Sequence, residues 1–355
     1  MIAVILIGGF GKRLRPFTLE TPKPLLPVIN RPFLNYQFDL LRAHGIREVI
    51  LATSYRPEVF RRALGRQLSG GPRLRFVNEA KPLGTGGAIK NAQPYLRETV
   101  LVLNGDVLNT LDITSFLKFH RRKRADLTIA LTRVKDPTLY GVVVTDAEGR
   151  IRKFVEKPSW DEVESNTINA GAYIFEPSLL DLIPSGLAYS LERSLFPDLL
   201  ERGRRVYGYV TAGYWIDIGT VDKYLRVHLD ILSGRTPLKL SAQGRRQGLL
   251  PGRGVKLGRH LTIPSGDGCR AVLGAGTVVG DFARFSGNVC VGPRCRVGQG
   301  ATLEDCVVLE GTRIGAGARL ERCVVGAGCR IGAQSSLTAQ AALAGGSRIE
   351  PYSHL

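Results

Sequence analysis

Two carboxylates and two cationic residues are the side chains of this sequence best suited to chemistry. Asp106 follows Asn104-Gly105 at the end of an apolar run, and Asp217 follows a short aromatic and aliphatic pair. Arg13 and Lys23 lie in an N-terminal segment rich in glycine and proline. Carboxylate oxygens suit a hard divalent cation, and cationic side chains suit phosphates. The residue types are compatible with metal-assisted chemistry on a phosphate. By themselves, however, either aspartate could be a turn or capping residue, and Lys23 between two prolines is first interpreted as an ordinary solvated lysine.

A glycine-rich turn, Gly8-Gly9-Phe10-Gly11-Lys12-Arg13, directly follows the first apolar run. Glycines at a strand end let the backbone approach a nucleotide closely, and their N–H groups can form an anion-binding nest. Arg13 and Arg15 add positive charge where a polyphosphate would lie. Neither the dinucleotide-binding fingerprint nor the P-loop pattern matches this segment. Taken alone, it is compatible with phosphate binding and with a simple tight turn.

Short apolar runs alternate with amphipathic stretches over residues 1–232. The clearest runs are 3–7, 49–52, 100–103 and 127–131. Residues 33–44 have apolar side chains at helical spacing and precede Gly45, a plausible helix C-cap. Strands that alternate with helices predict an α/β domain with a mixed, mostly parallel sheet.

A period of six residues begins after a predicted linker, 233–252, whose first part is rich in Gly, Arg, Ser and Gln. Apolar residues recur at Leu273, Val279, Phe285, Val291, Val297, Leu303 and Leu309, after a five-residue step at Ile314 and Leu320, and after a second short step at Val325, Ile331, Leu337, Leu343 and Ile349. Glycine often follows these residues, and a small or β-branched residue often stands four positions after them. This hexapeptide pattern predicts a left-handed parallel β-helix over 253–355.

The cysteines fit that prediction. All six lie in the C-terminal third and include no CxxC pair. Cys295 and Cys329 occupy the small-residue position of the repeat, and Cys306 and Cys323 each stand three residues after an apolar anchor. We therefore expect Cys295 and Cys329 to be inert core thiols, and all six cysteines to be reduced with no metal or disulfide role.

The net charge of +18 raises the question of nucleic-acid binding. The one dense basic cluster, 121–124, has neither interleaved aromatic residues nor zinc-finger spacing, so we predict no nucleic-acid partner. A basic surface also suits anionic small substrates. No apolar stretch is long enough to span a bilayer, which predicts a cytoplasmic protein without a membrane partner.

A series of motifs, in family order, resembles the sugar-1-phosphate nucleotidyltransferases (NDP-sugar pyrophosphorylases). They are RLRPFT at 13–18, TPKPLLP at 21–27, PLGTGGA at 82–88, VLNGD at 102–106, FVEKP at 154–158, NAG at 169–171 and WIDIGT at 215–220. The resemblance covers the first domain from end to end, and many members also carry a hexapeptide tail. It implies a Rossmann-like nucleotidyltransferase domain. One position departs from the usual pattern, because Lys12 stands where Thr is common.

The resemblance also implies the reaction and its residues. A sugar-phosphate oxygen attacks the α-phosphorus of an NTP, and pyrophosphate leaves in line, with Mg²⁺ as the cofactor. The catalytic residues would be Arg13, Lys23, Asp106 and Asp217, of which Asp106 and Asp217 bind the metal. The nucleotide would be bound by Gly8, Gly9, Gly11, Lys12, Arg13, Glu79, Gly84 and Thr85. The sugar phosphate would be bound by Lys23, Glu156, Lys157, Asn169 and Gly171.

Overall resemblance favours GTP and mannose 1-phosphate as substrates, giving GDP-mannose. Glucose 1-phosphate with dTTP or UTP is the alternative, and heptose 1-phosphate with GTP comes third. Two further hypotheses are an interaction scaffold like the exchange-factor subunits that share this architecture, and an acyltransferase in the tail. The first is disfavoured because Arg13, Lys23, Asp106 and Asp217 are all present. The second is disfavoured because the only histidines of the tail, His260 and His354, lie near its edges, so we expect the tail to be structural and to support a homo-oligomer.

Overall fold

The structure of the chain is a computed structural model. It describes residues 1–54, 56–64, 71–238, 240, 248–263, 268–338 and 341–355. These residues form two compact units, and each unit combines separate stretches of the sequence. The first unit is Met1–Phe10 with Leu34–Trp215, and the second is Gly11–Phe33 with Ile216–Leu355. The predicted boundaries at 232 and 253 stay predictions, and 239 and 241–247 of the predicted linker lie outside the described residues.

Helices and strands alternate up to residue 232, and short strands follow. The helices are α1 Leu34–Ala43, α2 Pro57–Leu64, α3 Gly84–Asn91, α4 Ile113–Lys123, α5 Phe196–Glu201 and α6 Val221–Leu232. The first strands are β1 Ala3–Leu6, β2 Pro27–Val28, β3 Arg31–Pro32, β4 Glu48–Thr53, β5 Arg73–Asn78, β6 Val100–Asn104, β7 Val107–Asn109, β8 Leu127–Arg133, β9 Gly141–Thr145, β10 Ile151–Glu156, β11 Thr167–Phe175, β12 Val206–Val210 and β13 Trp215–Asp217. None of the helices in the described part of the chain has the length and apolar character needed to cross a bilayer.

Later strands have two or three residues each. They are β14 Leu249–Pro251, β15 Lys256–Leu257, β16 Ala271–Leu273, β17 Val278–Val279, β18 Arg284–Ser286, β19 Val289–Val291, β20 Arg296–Val297, β21 Thr302–Glu304, β22 Val307–Val308, β23 Arg313–Ile314, β24 Arg319–Glu321, β25 Val324–Val325, β26 Arg330–Ile331, β27 Ser336–Leu337, β28 Ala342–Leu343 and β29 Arg348–Ile349.

The first unit is built on a mixed sheet that has nine strands among the described residues. Its main path runs β10-β9-β11-β6-β1-β4-β5, and β8 and β12 extend from β11. Strand β1 pairs in parallel with both β4 and β6, whereas β11 is antiparallel to β6 and β8. All four predicted apolar runs are strands, and α1 ends before Gly45, whose φ of 74° fits the predicted C-cap. The predicted mixed α/β fold is therefore confirmed.

Three ladders of short parallel strands form the C-terminal part of the second unit. They run β14-β16-β19-β22-β25-β28, β15-β17-β20-β23-β26-β29 and β18-β21-β24-β27. Each coil contributes one apolar residue per face to a closed interior, as with Phe285 and Leu303, which are partners in neighbouring coils. Cys295 and Cys329 are fully buried in that interior. The predicted parallel β-helix is confirmed in its strands and, with one exception, in the apolar residues that fill it.

One detail of the predicted repeat is wrong. Val308, which is 0% exposed, pairs with Val291, so it takes the position expected for Leu309. The first five-residue step therefore falls between Leu303 and Val308. The second falls at the same corner of the next coil, between Leu320 and Val325. Both corners are one residue shorter than the corner between Phe285 and Val291, and the six-residue count placed only the first of them one step too late.

Two phenylalanines, Phe282 and Phe285, test which residues of the repeat point into the β-helix. Phe285 is 1% exposed inside the β-helix, whereas Phe282 is 51% exposed at a corner. We expect Phe285→Ala to lower the free energy of unfolding by about 3–5 kcal/mol, because it leaves a cavity in a closed stack. Phe282→Ala should change it by about 1 kcal/mol or less, because it removes only the stacked contact with His260 at the surface. Urea denaturation followed by circular dichroism would measure both, and equal losses would contradict the assigned register.

Candidate active site

The glycine turn after β1 leaves room on one side for another molecule to approach the backbone closely. The carbonyl oxygen of Gly8 accepts a hydrogen bond from Ser54 Oγ at 3.0 Å. A Cβ on Gly8 would lie 2.9 Å from that hydroxyl and 3.6 Å from Glu79 Oε1, so a side chain would have no room. A Cβ on Gly9, in contrast, would meet no atom of the described chain within 4 Å. The turn thus has one face packed against the sheet edge and one open face on which a ligand can lie.

Glu79 is the buried carboxylate of this edge. It follows β5 and is 9% exposed, and its Oε2 accepts a hydrogen bond from the Leu83 N–H at 2.8 Å. Burial raises the pKa of Glu79, and the Leu83 hydrogen bond opposes that shift. Gly84 follows with φ of 71°, and a Cβ there would lie 2.8 Å from the Tyr189 carbonyl oxygen. The Leu83–Gly84 turn therefore fixes the Glu79 carboxylate beside the glycine turn.

Gln37 on α1 holds the turn that carries Asp106. Its Nε2 donates to the Asn104 carbonyl at 2.8 Å and to the Val107 carbonyl at 2.9 Å, on either side of Asp106. Gly105 between them packs so closely that a Cβ would lie 2.6 Å from Leu6 O. Asp106 itself is half-buried. Sequence reasoning missed Gln37, because an amide inside an amphipathic helix gives no signal of what it faces.

A bulge in β11 forms the second predicted substrate segment. The register of β11 against β8 shifts between Asn169 and Tyr173, and Gly171 lies in the bulge with φ of 70°. Asn169 Oδ1 accepts the Gly171 N–H at 2.9 Å, and Asn169 Nδ2 donates to Tyr173 Oη at 2.9 Å. A Cβ on Gly171 would lie 2.9 Å from Asn104 Nδ2. The bulge thus lies directly against the strand that leads to Asp106.

Glu156 and Glu192 form a carboxylate pair that sequence reasoning only half recognised. Burial raises the pKa of Glu156, and the Glu192 charge adds to that shift, while Lys157, with Nζ 3.9 Å from Glu156 Oε1, opposes it. Glu192 Oε2 accepts hydrogen bonds from Thr85 Oγ1 at 2.8 Å and Ser190 Oγ at 2.9 Å. The Thr85 hydroxyl also accepts the Leu191 N–H. Thr85 therefore orients Glu192, and its predicted contact with a nucleotide stays a prediction.

The second unit carries the remaining predicted residues of the glycine turn. Gly11 has φ of 59°, and its carbonyl accepts a hydrogen bond from Thr18 Oγ1 at 2.9 Å. A Cβ on Gly11 would lie 3.3 Å from Lys23 Cβ, so the two loop segments pack directly on each other. Lys12 begins a single 3₁₀ turn, Lys12–Leu14, and is exposed. Nothing in the structure explains why Lys stands at this position.

Arg13 and Asp217 lie together in this unit. A Cβ on Gly219 would lie 2.9 Å from Asp217 Oδ2 and 3.3 Å from Arg13 Nη2, so both charges border one glycine. Lys223, on the first turn of α6, forms an ion pair with Asp217 Oδ1. Lys223 is a further cation that the motif did not reveal, since it follows WIDIGT by three residues. Among the residues that the structure describes, no group of three or more His, Cys, Asp or Glu side chains could hold a metal.

Comparison with known proteins assigns this α/β protein and its β-helix to a class. The nucleotidyl transferase family model matches residues 2–234, and the model of the GMPPB C-terminal domain matches residues 270–353. A mannose-1-phosphate guanylyltransferase of Mycobacterium tuberculosis is 42% identical over 289 residues, 81% of this chain and 79% of the relative. A UTP--glucose-1-phosphate uridylyltransferase of Synechocystis is 34% identical, over 87% of this chain and 83% of the relative. HddC from Yersinia pseudotuberculosis, solved in complex with GMP-PN, is 30% identical and matches 65% of this chain and 99% of its own, with a TM-score of 0.57.

Fold, motifs and matches define a nucleotidyltransferase with a β-helix tail. The chain belongs to the nucleotidyl transferase family. The resemblance noted in the sequence is confirmed, and so is the class of enzyme, the sugar-1-phosphate nucleotidyltransferases.

The carboxylate pair makes stability depend on pH. The pKa of Glu156 is raised in the folded state, so as pH rises the unfolded chain loses the Glu156 proton before the folded chain does. Stability therefore falls as pH rises from the usual pKa of a glutamate to the raised pKa of Glu156. We expect Glu156→Gln to stabilise the protein relative to wild type more at about pH 7 than at about pH 3, where the Glu156 side chain is mostly protonated in both the folded and the unfolded chain. Melting temperatures at a series of pH values would measure the difference.

Glu162 serves as a control, because its pKa is shifted in the opposite direction to that of Glu156. The Ser159 N–H and hydroxyl lower the pKa of Glu162, so its stabilisation is present above the usual pKa of a glutamate and is lost as pH falls. Glu162→Gln should therefore cost stability near neutral pH and little in acid. A Glu156→Gln variant with the same pH trend as Glu162→Gln would contradict the assigned burial of Glu156.

Proposed function

We propose that this enzyme transfers GMP from GTP to mannose 1-phosphate, giving GDP-mannose and pyrophosphate. The observation that carries this choice is the 42% identity to a mannose-1-phosphate guanylyltransferase over about four-fifths of both chains. The complex of HddC with GMP-PN supports a guanine nucleotide in particular. The earlier expectations of a homo-oligomer and of a cytoplasmic location stay predictions.

The reaction requires two polyanions to be held in line. The attacking sugar-phosphate oxygen is already an anion, so the protein must position it and stabilise charge rather than activate a nucleophile. Arg13 would bind the triphosphate and the leaving pyrophosphate, Lys23 the reacting phosphates and Lys157 the sugar phosphate. The glycine turn supports a phosphate nearby, because a Cβ at Gly9 would meet no described atom within 4 Å, which leaves room for a phosphate beside the backbone.

Asp106 and Asp217 are the proposed Mg²⁺ ligands. Their chemistry fits the ion, since Mg²⁺ prefers oxygen ligands and is commonly held by one or two carboxylates together with water and substrate phosphates. Two carboxylates are therefore enough, and a cluster of three is not needed. Asp217 Oδ1 is paired with Lys223, and its Oδ2 borders Gly219. When bound, the ion would neutralise charge that develops on the phosphates.

Glu79 is the proposed contact for the base. Its Oε2 is used by the Leu83 N–H, and its Oε1 lies toward Gly8. A guanine presents neighbouring N–H donors on one edge, and a carboxylate is a strong acceptor for them. Gly8, Gly9, Gly11, Lys12, Gly84 and Thr85 complete the proposed nucleotide-binding set.

Glu156 and Asn169 are the proposed partners of the sugar hydroxyls, with Gly171 allowing close approach. The half-buried Glu156 carboxylate is an acceptor to which sugar hydroxyls can donate hydrogen bonds. Glu192 is held by Thr85 and Ser190, so we assign it a positioning role in this subsite.

UTP or dTTP with glucose 1-phosphate is the second candidate. The observation that favours it is the uridylyltransferase relative, which matches 87% of this chain. Pyrophosphate release across four NTPs and three sugar 1-phosphates separates the two. We expect GTP with mannose 1-phosphate to give the highest kcat/KM, and a clear lead for a pyrimidine nucleotide with glucose 1-phosphate would overturn the choice.

Lys23→Met tests the proposed chemistry. Removing a cation aimed at the reacting phosphates should lower kcat by about 10²–10³-fold. Lys256→Met, which removes an exposed lysine of the β-helix, is the matched control and should keep wild-type turnover. Steady-state kinetics on both variants provides the comparison, and a Lys23→Met enzyme with full activity would exclude the assigned role.

A further inference from the structure

The loop Gly11–Phe33 contains four of the predicted site residues, Gly11, Lys12, Arg13 and Lys23. This loop belongs to the same compact unit as α6 and the β-helix. The part of the loop beyond Lys23 is short of regular structure, with one 3₁₀ turn, Lys23–Leu25, and the two-residue strands β2 and β3. A loop of this kind needs outside anchors to hold a side chain in one place.

The first anchor is the turn between β2 and β3. Ile29 and Asn30 both have positive φ, at 46° and 61°, which carries the Asn30 side chain onto the β-helix. There its Nδ2 donates to the Val291 carbonyl at 2.9 Å, and its Oδ1 lies 3.8 Å from the Cys290 Sγ, which donates to it. One amide thus uses both its donor and its acceptor on a single β-helix strand, β19.

The second anchor is α6. Tyr224, fully buried, donates its hydroxyl proton to the Pro27 carbonyl, and its ring lies 6.0 Å from that of Phe17. The far end of α6 is tied to the β-helix, because Arg270 Nη1 donates to the Leu232 carbonyl at 2.7 Å. Pro27 and Asn30 are therefore held within seven residues of Lys23, from two directions.

We propose that the β-helix positions the catalytic loop, with Asn30 and Tyr224 as positioning residues that act through Lys23. The tail is then part of the catalytic apparatus as well as a structural extension. This inference rests on the proposed role of Lys23 for its kinetic consequence, whereas the holding of the loop can be measured without any reaction.

Asn30→Gly is the decisive variant, made in the full chain. Glycine keeps the positive φ of this turn and removes only the amide, whereas alanine would add backbone strain. The matched control is Gln334→Gly, which removes an amide side chain at another positive-φ turn of the β-helix, φ 57°. Tyr224→Phe, which removes only the hydroxyl that reaches Pro27, is the second test variant.

Two readouts are expected to move together. Hydrogen exchange of the peptide that covers Leu25 to Phe33 should become faster in both test variants. The Leu25 and Leu26 N–H groups donate to carbonyls of the same loop, Pro22 and Lys23, so their protection depends on the anchors that hold the loop. The kcat should fall by about ten- to a hundred-fold, while KM for the sugar phosphate stays within about two-fold, since misplacement of a reacting group costs rate more than binding. Gln334→Gly should change neither.

Two outcomes would overturn the proposal. Unchanged loop exchange and kcat in Asn30→Gly would show that the β-helix does not hold the loop, and equal losses in Gln334→Gly would show general destabilisation instead. Neither outcome touches the proposed function, which fails separately if wild-type enzyme turns over no pair of NTP and sugar 1-phosphate. In that case the exchange data still decide whether the loop is held.

Discussion

Strand β1 pairs in parallel with β4 on one side and with β6 on the other, and the first unit is organised around this triple. Parallel strands end at the same sheet edge, so the turns that follow them meet there. Gly8, Ser54 and Asp106 follow β1, β4 and β6, and Glu79 follows β5 next to β4. Residues far apart in sequence are thereby brought to one edge without any direct bond between most of them. Close backbone packing then excludes side chains at Gly8 and Gly105, which is why glycine stands at both.

Burying polar groups at this edge of the sheet costs free energy, and hydrogen bonds offset that cost for some of the groups but not for others. Tyr173 is completely buried, and burial raises the pKa of its phenol well above the usual value. Its hydroxyl has partners in Asn169 and Glu192. Gln37 Oε1 and Asn104 Oδ1, however, are buried with no hydrogen-bond partner among the residues that the structure describes. Both side chains border the turn that carries Asp106, one of the proposed site residues, and unsatisfied polar groups are more often found at functional sites than elsewhere.

The β-helix solves a different problem, since its coils are too short to have a core of their own. Each coil stacks on the next, and small residues such as Ala283 and Ala301 leave room for the apolar anchors beside them. Thiols at Cys295 and Cys329 fill the same kind of position, and burial raises the pKa of both. Because that raised pKa disfavours the thiolate, these cysteines act as small apolar residues.

The sequence by itself determined the two architectures, since both rest on local periodicity: alternating strands and helices in one, a six-residue repeat in the other. It also indicated the residues of the glycine turn and the aspartates Asp106 and Asp217, because motif spacing is a property of the chain. Tertiary structure alone decided which groups orient them. Gln37 across the Asp106 turn, Glu192 against Thr85 and Asn30 on Val291 join residues separated by 67 to 261 positions. The position of the first five-residue step in the repeat is also set by the length of a β-helix corner, which counting residues in steps of six does not reveal. Local pattern specifies what each segment becomes, whereas the partners of a polar side chain depend on which distant backbone the fold brings within 3 Å.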